Sequence, residues 1–234
     1  MDRLVVMQKI LVINSKGGCG KTTMATNLAS YFVTQDLATA LLDFDPQGSS
    51  IRWLSTRPKS GPAIYGVHVA SRKNNTGVTR SFQMRVPPET ERMIIDAPAG
   101  VTGHELRELI RHVDTIIVPV LPSSIDIHAV TRFIEELLVV GKARQLGLNI
   151  AVVANRAKKN TLTYRALERF LKTLKLPFIT TLRDTQNYVH AAERGIGIHE
   201  MWDKRTDSDK QQWRPLTRWL EDVNPVKTKR KIAR

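Results

Sequence analysis

A glycine-rich segment near the start of the chain constrains its fold more than any other feature. Residues 15–23 read Ser-Lys-Gly-Gly-Cys-Gly-Lys-Thr-Thr and follow the apolar run KILVIN at 9–14. A strand, a glycine loop and a helix in this order form the context in which a G-x-x-x-x-G-K-[ST] segment binds phosphate. The glycines let backbone N–H groups face the phosphates, and the helix directs its positive N-terminal end toward the same charge. The segment therefore predicts a phosphate-binding loop.

The polar residues of this loop predict binding of ATP with Mg²⁺. Lys21 should reach the β- and γ-phosphates, and the hydroxyl of Thr22 should bind the metal ion. Contacts with the nucleotide are predicted for the whole loop, which comprises Lys16, Gly17, Gly18, Cys19, Gly20, Lys21, Thr22 and Thr23. Cys19 is the only cysteine of the chain, so an intramolecular disulfide cannot form. A reducing compartment such as the cytoplasm fits this composition.

Apolar runs rich in β-branched residues recur along the chain and predict buried strands. They lie at 9–14, 39–44, 92–97, 115–120, 149–155 and 177–182. Helical spacing of apolar residues predicts helices at 22–33, 104–112, 126–140 and 162–174. Alternating strands and helices predict an α/β fold: a doubly wound, mainly parallel sheet flanked by helices, as in P-loop NTPases.

The chain is expected to form one ATPase domain at 1–224, followed by a basic, mobile tail at 225–234. The segment 50–90 is less regular and carries several prolines and glycines, which predict loops around one or two short elements. The aromatic residues of the C-terminal half are expected to pack in the core or cap it. Among them are Tyr164, Phe170, Tyr188, Trp202, Trp213 and Trp219, for which stacking on bases is the less favoured alternative.

The loop has the form K-G-G-x-G-K-[ST], because Ser15 takes the first glycine position and Lys16 follows it. This form resembles the deviant Walker A box of the ParA/MinD family, above all that of its small ParA-type partition and positioning ATPases. The resemblance implies a homodimer that sandwiches ATP, in which Lys16 crosses to the phosphates of the partner. Lys16 would then neutralise charge in the transition state only in the dimer, so hydrolysis would depend on assembly.

Two acidic strand ends complete the resemblance. Asp43-Phe44-Asp45-Pro46-Gln47-Gly48 is similar to the first switch of the family, which implies that Asp45 orients the attacking water near Mg²⁺ and that Asp43 supports the loop. Asp96 ends the apolar strand Met-Ile-Ile-Asp and matches the Walker B carboxylate of the metal site. Catalytic roles are thus implied for Lys16, Lys21 and Asp45, and metal roles for Thr22, Asp45 and Asp96.

Further nucleotide contacts follow from the same resemblance. The backbone of Gly100 would sense the γ-phosphate, although the sequence Asp-Ala-Pro-Ala-Gly departs from the two consecutive prolines of many relatives. Asn155 and Arg156 end a strand where relatives often place an adenine-contacting asparagine. A helix cap is an equally good interpretation of Asn155.

The chain carries a formal net charge of +14, and most of the excess lies in its C-terminal half. Ten basic residues and a single acidic one, Glu168, lie between positions 142 and 183. Such a block predicts a polyanionic partner, although excess charge can also serve solubility alone. We expect weak, salt-sensitive binding to the phosphates of duplex DNA. The predicted DNA contacts are Lys158, Lys159, Arg183, Lys204 and Arg205, of which Arg183 and Arg205 fall near arginines that ParA-like proteins use.

Taken with the resemblance, these features predict a ParA-type ATPase that is weakly active alone and stimulated by a ParB-like or cargo-adaptor protein. It would dimerise on ATP, bind the nucleoid and position a plasmid, a chromosome or a protein body in the cytoplasm. The alternative is a MinD-like ATPase that cycles on membranes, which would need an amphipathic C-terminal helix. No apolar stretch approaches the roughly 20 residues that span a bilayer, so integral membrane contact is not expected. A third class, ATPases that carry a metal cluster, is not favoured, because such a cluster needs several cysteines and this chain has one.

Overall fold

A computed structural model describes residues 6–69, 84–173 and 176–223. Within these ranges the strands are β1 (Gln8–Val12), β2 (Thr39–Asp43), β3 (Tyr65–His68), β4 (Arg92–Asp96), β5 (Thr115–Val120), β6 (Asn149–Ala157) and β7 (Phe178–Arg183). The helices are α1 (Lys21–Thr34), α2 (Ser49–Ser55), α3 (Gly103–Ile110), α4 (Ser124–Val139), α5 (Leu162–Thr173), α6 (Asn187–Glu193) and α7 (Asp207–Asp222). Short 3₁₀ turns lie at Ile198–Glu200 and Lys204–Thr206. The predicted tail at 225–234 lies outside the described residues.

The described strands form one sheet in the order β3-β2-β4-β1-β5-β6-β7. Every pair of neighbours is parallel. Parallel strands need crossover helices that cover both faces of the sheet, which explains why the strands are almost continuously apolar. The predicted doubly wound α/β fold is confirmed, and the six strands predicted from sequence each end within two residues of the predicted bounds.

Two hydrophobic layers enclose the sheet. On one face, side chains of α3, α4 and α5 pack against alternate strand residues such as Leu11 and Val118. On the other face, α1, α2, α6 and α7 pack against the intervening residues, such as Ile10 and Val12. Successive strand residues point to opposite faces, so each strand contributes to both layers. The helices α5 and α7 consequently lie on opposite sides of the molecule.

Three features differ from the expectations or were not foreseen. The edge strand β3 is only four residues long and contains Gly66, beside which the side chain of Leu54 leaves no room for a Cβ atom. Helix α2 begins directly after the left-handed Gly48, at φ 63°. Trp202, which was expected to pack, is wholly exposed between the two 3₁₀ turns, so that prediction was wrong for this residue.

A buried ion pair fastens the segment after α2 to the turn at Ile198–Glu200. The guanidinium of Arg57 donates to both carboxylate oxygens of Glu200, and the two side chains are 5% and 12% exposed. The same carboxylate accepts from the hydroxyl of Ser30 in α1 at 2.6 Å and from the backbone N–H of Gly197 at 2.9 Å. Three segments of chain therefore meet at one carboxylate: α1, the segment after α2 and the turn at Ile198–Glu200.

We expect Arg57→Leu to lower the free energy of unfolding by about 3 kcal/mol or more, because it leaves the Glu200 carboxylate buried without its cation. In the double variant Arg57→Leu with Glu200→Leu, the free energy of unfolding should fall by less than the sum of the decreases in the two single variants. Urea unfolding of the four proteins measures this coupling.

Arg111→Leu is the matched control, since Arg111 pairs with Glu108 on the surface. Arg111→Leu should lower the free energy of unfolding by less than about 1 kcal/mol. Equal losses for Arg57→Leu and Arg111→Leu would contradict the structural role of the buried pair.

Candidate functional site

The phosphate loop, the strand ends and the loop after β7 meet around one pocket of about 490 Å³. The pocket lies at the carboxyl edge of the sheet, where the loops of parallel α/β folds bind ligands. Its lining comprises Gly17, Gly18, Gly20, Lys21, Thr22, Thr23, Asp45, Ala99, Asn155, Arg156, Asp184, Thr185, Gln186, Tyr188 and Val189. Residues from four separate predicted motifs are thus brought together as expected.

The conformation of the loop depends on glycine at its last position before α1. Gly20 is left-handed, at φ 91°, and a Cβ atom there would lie 2.1 Å from the amide nitrogen of Asn155. That amide donates to the carbonyl of Cys19 at 2.9 Å. Asn155 therefore holds the loop against β6 and does not cap a helix. The Cys19 thiol is fully buried, and this burial raises its pKa despite the nearby Lys21.

The two lysines of the loop have different positions. Lys21 is 7% exposed, lines the pocket and donates to the carbonyl of Lys16 at 3.1 Å. The Lys16 side chain does not line the pocket and instead lies 2.6 Å from the carboxylate of Asp126, near the start of α4. Asp126 is buried, and Lys16 is about one third exposed. Of the two loop lysines, Lys21 is therefore the one placed to bind phosphate within a single chain.

A link between α1 and β4 forms the candidate metal site. The hydroxyl of Thr22 donates to one carboxylate oxygen of Asp96 at 2.8 Å, whereas the other oxygen is buried without a hydrogen-bond partner among the described residues. Burial raises the pKa of Asp96 to about 7, opposed by the Thr22 hydrogen bond and increased by the charge of Asp43. A divalent cation would satisfy the unpaired oxygen and favour the ionised form.

Thr22 and Asp96 thus fit a Mg²⁺ ion, which would neutralise charge on the β- and γ-phosphates. Oxygen ligands from a hydroxyl and a carboxylate suit this ion, which usually keeps several of its waters.

The first switch is ordered by Asp43, which is fully buried at the end of β2. Its carboxylate accepts from the backbone N–H groups of Asp45, Ser50 and Ile51 at 2.9 to 3.2 Å. Asp43 therefore caps α2 and shapes the loop. Asp45 lines the pocket with a partly exposed carboxylate, which accepts from the N–H of Gln47. Gly100 is left-handed, and its N–H donates to the carbonyl of Ser15 at 2.8 Å.

The far end of the pocket includes residues that the sequence analysis did not select. The loop after β7 contributes Asp184, Thr185 and Gln186, and α6 contributes Tyr188 and Val189. The sequence could have indicated these residues, because the predicted strand at 177–182 ends at the same edge of the sheet as the phosphate loop. Arg156 is left-handed, at φ 49°, and its side chain lies 3.4 Å from the Asp184 carboxylate across the mouth of the pocket.

The predicted DNA contacts do not form one group of unpaired cations. Arg183 donates to both oxygens of Asp209, a fully buried carboxylate that also accepts from Asn187. Arg183 therefore joins the end of β7 to α7. Arg205 binds Asp203 through two contacts of 2.6 and 2.8 Å, but its side chain is 86% exposed. A pair this exposed contributes little stability, and a phosphate could replace the carboxylate.

The other three predicted DNA contacts, Lys158, Lys159 and Lys204, are exposed, and none forms an ion pair in the described parts of the chain. Among residues 6–69, 84–173 and 176–223, the structure shows no helix with the length and apolar character needed to span a membrane.

Comparison with known proteins finds similar nucleotide-binding proteins. The family model described as the CobQ/CobB/MinD/ParA nucleotide binding domain matches residues 10–198. The "Maintenance of carboxysome distribution protein A" of Halothiobacillus neapolitanus is 29% identical over 199 residues, which is 82% of this chain and 87% of that protein.

Two solved structures share the fold. An McdA variant from Cyanothece in complex with ATP has a TM-score of 0.65 at 17% identity and covers 90% of this chain and 96% of its own. The MinD cell division protein of Aquifex aeolicus has a TM-score of 0.67 at 18% identity. The match covers 94% of this chain and 99% of the MinD chain.

We expect Lys21→Ala to weaken ATP binding by about tenfold or more, because the buried ammonium is lost from the phosphate end of the pocket. Calorimetric titration with ATP and Mg²⁺ measures this affinity.

Lys16→Ala changes the other lysine of the same loop and should leave the affinity of a single chain close to that of the wild type. Full affinity in Lys21→Ala would show that the pocket does not bind phosphate as described.

Proposed function

The chain belongs to the CobQ/CobB/MinD/ParA nucleotide-binding family, and we propose that it is a ParA-type ATPase that positions or segregates a cargo. ATP with Mg²⁺ would bring two copies together, and hydrolysis would separate them. The cargo is a plasmid, a chromosome or a protein body. Relatives named for carboxysome distribution and for chromosome partitioning support a protein body and a chromosome as cargoes.

The separation of the two loop lysines carries this proposal. Lys21 lies inside the pocket, whereas Lys16 is held outside it by Asp126. A lysine in the phosphate loop that does not contact the pocket of its own chain is suited to act on a second chain. To reach the phosphates of a partner, Lys16 must exchange Asp126 for them, so assembly would depend on the bound nucleotide. ATP can favour the dimer over the monomer more than ADP does only through contacts that ADP lacks.

Hydrolysis in this scheme depends on Asp45 and Lys16. Asp45 is the partly exposed carboxylate at the edge of the pocket, where it can orient a water for attack on the γ-phosphate. Lys16 of the second chain adds positive charge as the transition state forms. A single chain lacks that charge, so we infer a low rate for the chain alone. A ParB-like or cargo-adaptor protein would raise the rate by stabilising the competent dimer.

The excess positive charge supports non-specific binding to duplex DNA as the second part of the cycle. The dimer would bind the nucleoid while it holds ATP and leave it after hydrolysis. A cargo whose adaptor stimulates hydrolysis would then follow the remaining bound dimers.

A membrane-cycling role like that of MinD has less support from the described residues. The last described helix, α7, has an amphipathic sequence, but its apolar residues Trp213, Leu216 and Leu220 are buried against the sheet. They are therefore not available for insertion into a bilayer.

We predict that Asp45→Ala retains ATP binding but stops phosphate release, because the carboxylate that orients the attacking water is removed. The dimer formed on ATP should then persist. Steady-state phosphate release and multi-angle light scattering, with ATP and with ADP, measure the two effects.

Asp222→Ala is the control, since Asp222 is an exposed carboxylate at the end of α7, which contacts Gln8 at the start of β1, on the edge of the sheet opposite the pocket. It should release phosphate at the wild-type rate. Unchanged phosphate release by Asp45→Ala would refute the proposed role of Asp45, and a wild-type protein that stays monomeric with ATP would refute the dimer.

A further inference from the structure

Helix α5 carries a row of basic side chains on its solvent side. Arg165, Arg169 and Lys172 are exposed and follow one another at the spacing of one helical turn. Lys158 and Lys159, in the turn that leads from β6 into α5, are also exposed. We call these five residues the α5 stripe.

The charges of the α5 stripe are not neutralised by any ion pair within residues 6–69, 84–173 and 176–223. No residue of the stripe forms an ion pair in the described ranges, although Glu168 lies in the same helix. By contrast, Arg183 is bound to the buried Asp209, and Arg205 to Asp203. A cation that must release an internal carboxylate gains less free energy on binding a phosphate than an unpaired cation does. The α5 stripe therefore gathers unpaired members of the block of positive charge along one side of a single helix.

The dimensions of the stripe fit a phosphate backbone. From Arg165 to Lys172 the helix rises about 10 Å. A DNA duplex presents a phosphate of each strand about every 3.4 Å along its axis, so each cation can meet a separate phosphate.

An anionic membrane is a poorer match for this surface. The apolar side of α5, formed by Tyr164, Leu167 and Leu171, is buried in the core and cannot enter a bilayer.

The stripe begins two residues after Arg156, which lies at the mouth of the nucleotide pocket. Arg156 has a left-handed backbone, and the pairing of β6 with β7 shifts register between Ala154 and Ala157. Strand irregularities of this kind often lie beside functional sites, where they redirect side chains. The stripe and the pocket are thus joined by one short, irregular segment.

We propose that the α5 stripe is the principal surface by which this protein binds the phosphates of duplex DNA, with Arg183 serving instead as a structural residue. The inference rests on the proposed function, because it assigns a surface to the DNA binding proposed there. Since phosphate contacts carry no sequence information, binding through the stripe is non-specific.

Two charge-matched double variants test this assignment. The first, Arg165→Gln with Arg169→Gln, removes two cations of the stripe at i, i+4. The second, Arg214→Gln with Arg218→Gln, removes two exposed cations at the same spacing on α7, on the opposite face of the sheet. Both double variants lower the net charge equally, so any difference in their affinity for DNA depends on where the removed cations lie. Calorimetric titration with ATP first confirms that each variant retains its pocket.

Fluorescence anisotropy with a labelled duplex of arbitrary sequence, at several salt concentrations with ATP and Mg²⁺, gives the affinity and its salt dependence. The α5 variant should bind about tenfold more weakly, and the slope of log K against log salt should fall by about two. The α7 variant should keep a slope close to that of the wild type.

Equal weakening in both variants would overturn the inference, since net charge alone would then explain binding. Wild-type affinity in the α5 variant would also overturn it, while the DNA binding of the proposed function would stand. If the wild type binds no duplex in any nucleotide state, both the inference and that part of the function are refuted. Binding to vesicles of anionic phospholipid under the same conditions would then identify a membrane as the target.

Discussion

The hydrogen bond from Thr22 to Asp96 is the contact on which the rest of the site depends. It joins the first turn of α1 to the end of β4, and it leaves the second oxygen of Asp96 buried with no hydrogen-bond partner in the described part of the chain. The strand order places β4 next to β1, so the phosphate loop and the metal carboxylate meet at one edge of the sheet. The left-handed Gly20 and the amide of Asn155 then fix the loop against β6. Phosphate binding and metal binding therefore both depend on how this parallel sheet is ordered.

The sequence could indicate where the pocket lies because its motifs are local. The loop at 15–23 and the carboxylates at Asp45 and Asp96 each follow a strand, and parallel strands bring their carboxyl ends together. The strands themselves are nearly all apolar, which made six of them recognisable. The edge strand β3 was predicted only as an unassigned short element within 50–90, because it is short, contains Gly66 and follows a segment rich in proline. Its position depends on contact with Leu54 and pairing with β2, which no local pattern encodes.

Residues whose roles depend on distant partners were harder to assign. Arg183 looked like a surface cation, but its partner Asp209 lies 26 residues further along the chain and is fully buried. Lys16 was expected to act on a second chain, and sequence alone did not reveal Asp126 as its partner within the chain. Trp202 illustrates the opposite error, because an aromatic residue expected to pack lies fully exposed between two short turns. Sequence composition located the positive charge, but only the folded chain separates paired from unpaired cations.

The central claim is that the γ-phosphate of ATP controls an assembly which binds DNA. The most direct measurement is equilibrium binding of the wild-type protein to non-specific duplex DNA without nucleotide, with ADP and Mg²⁺, and with ATP and Mg²⁺. We expect salt-sensitive binding with ATP and little binding in the other two states. Equal binding in all three states, or none in any, would contradict it.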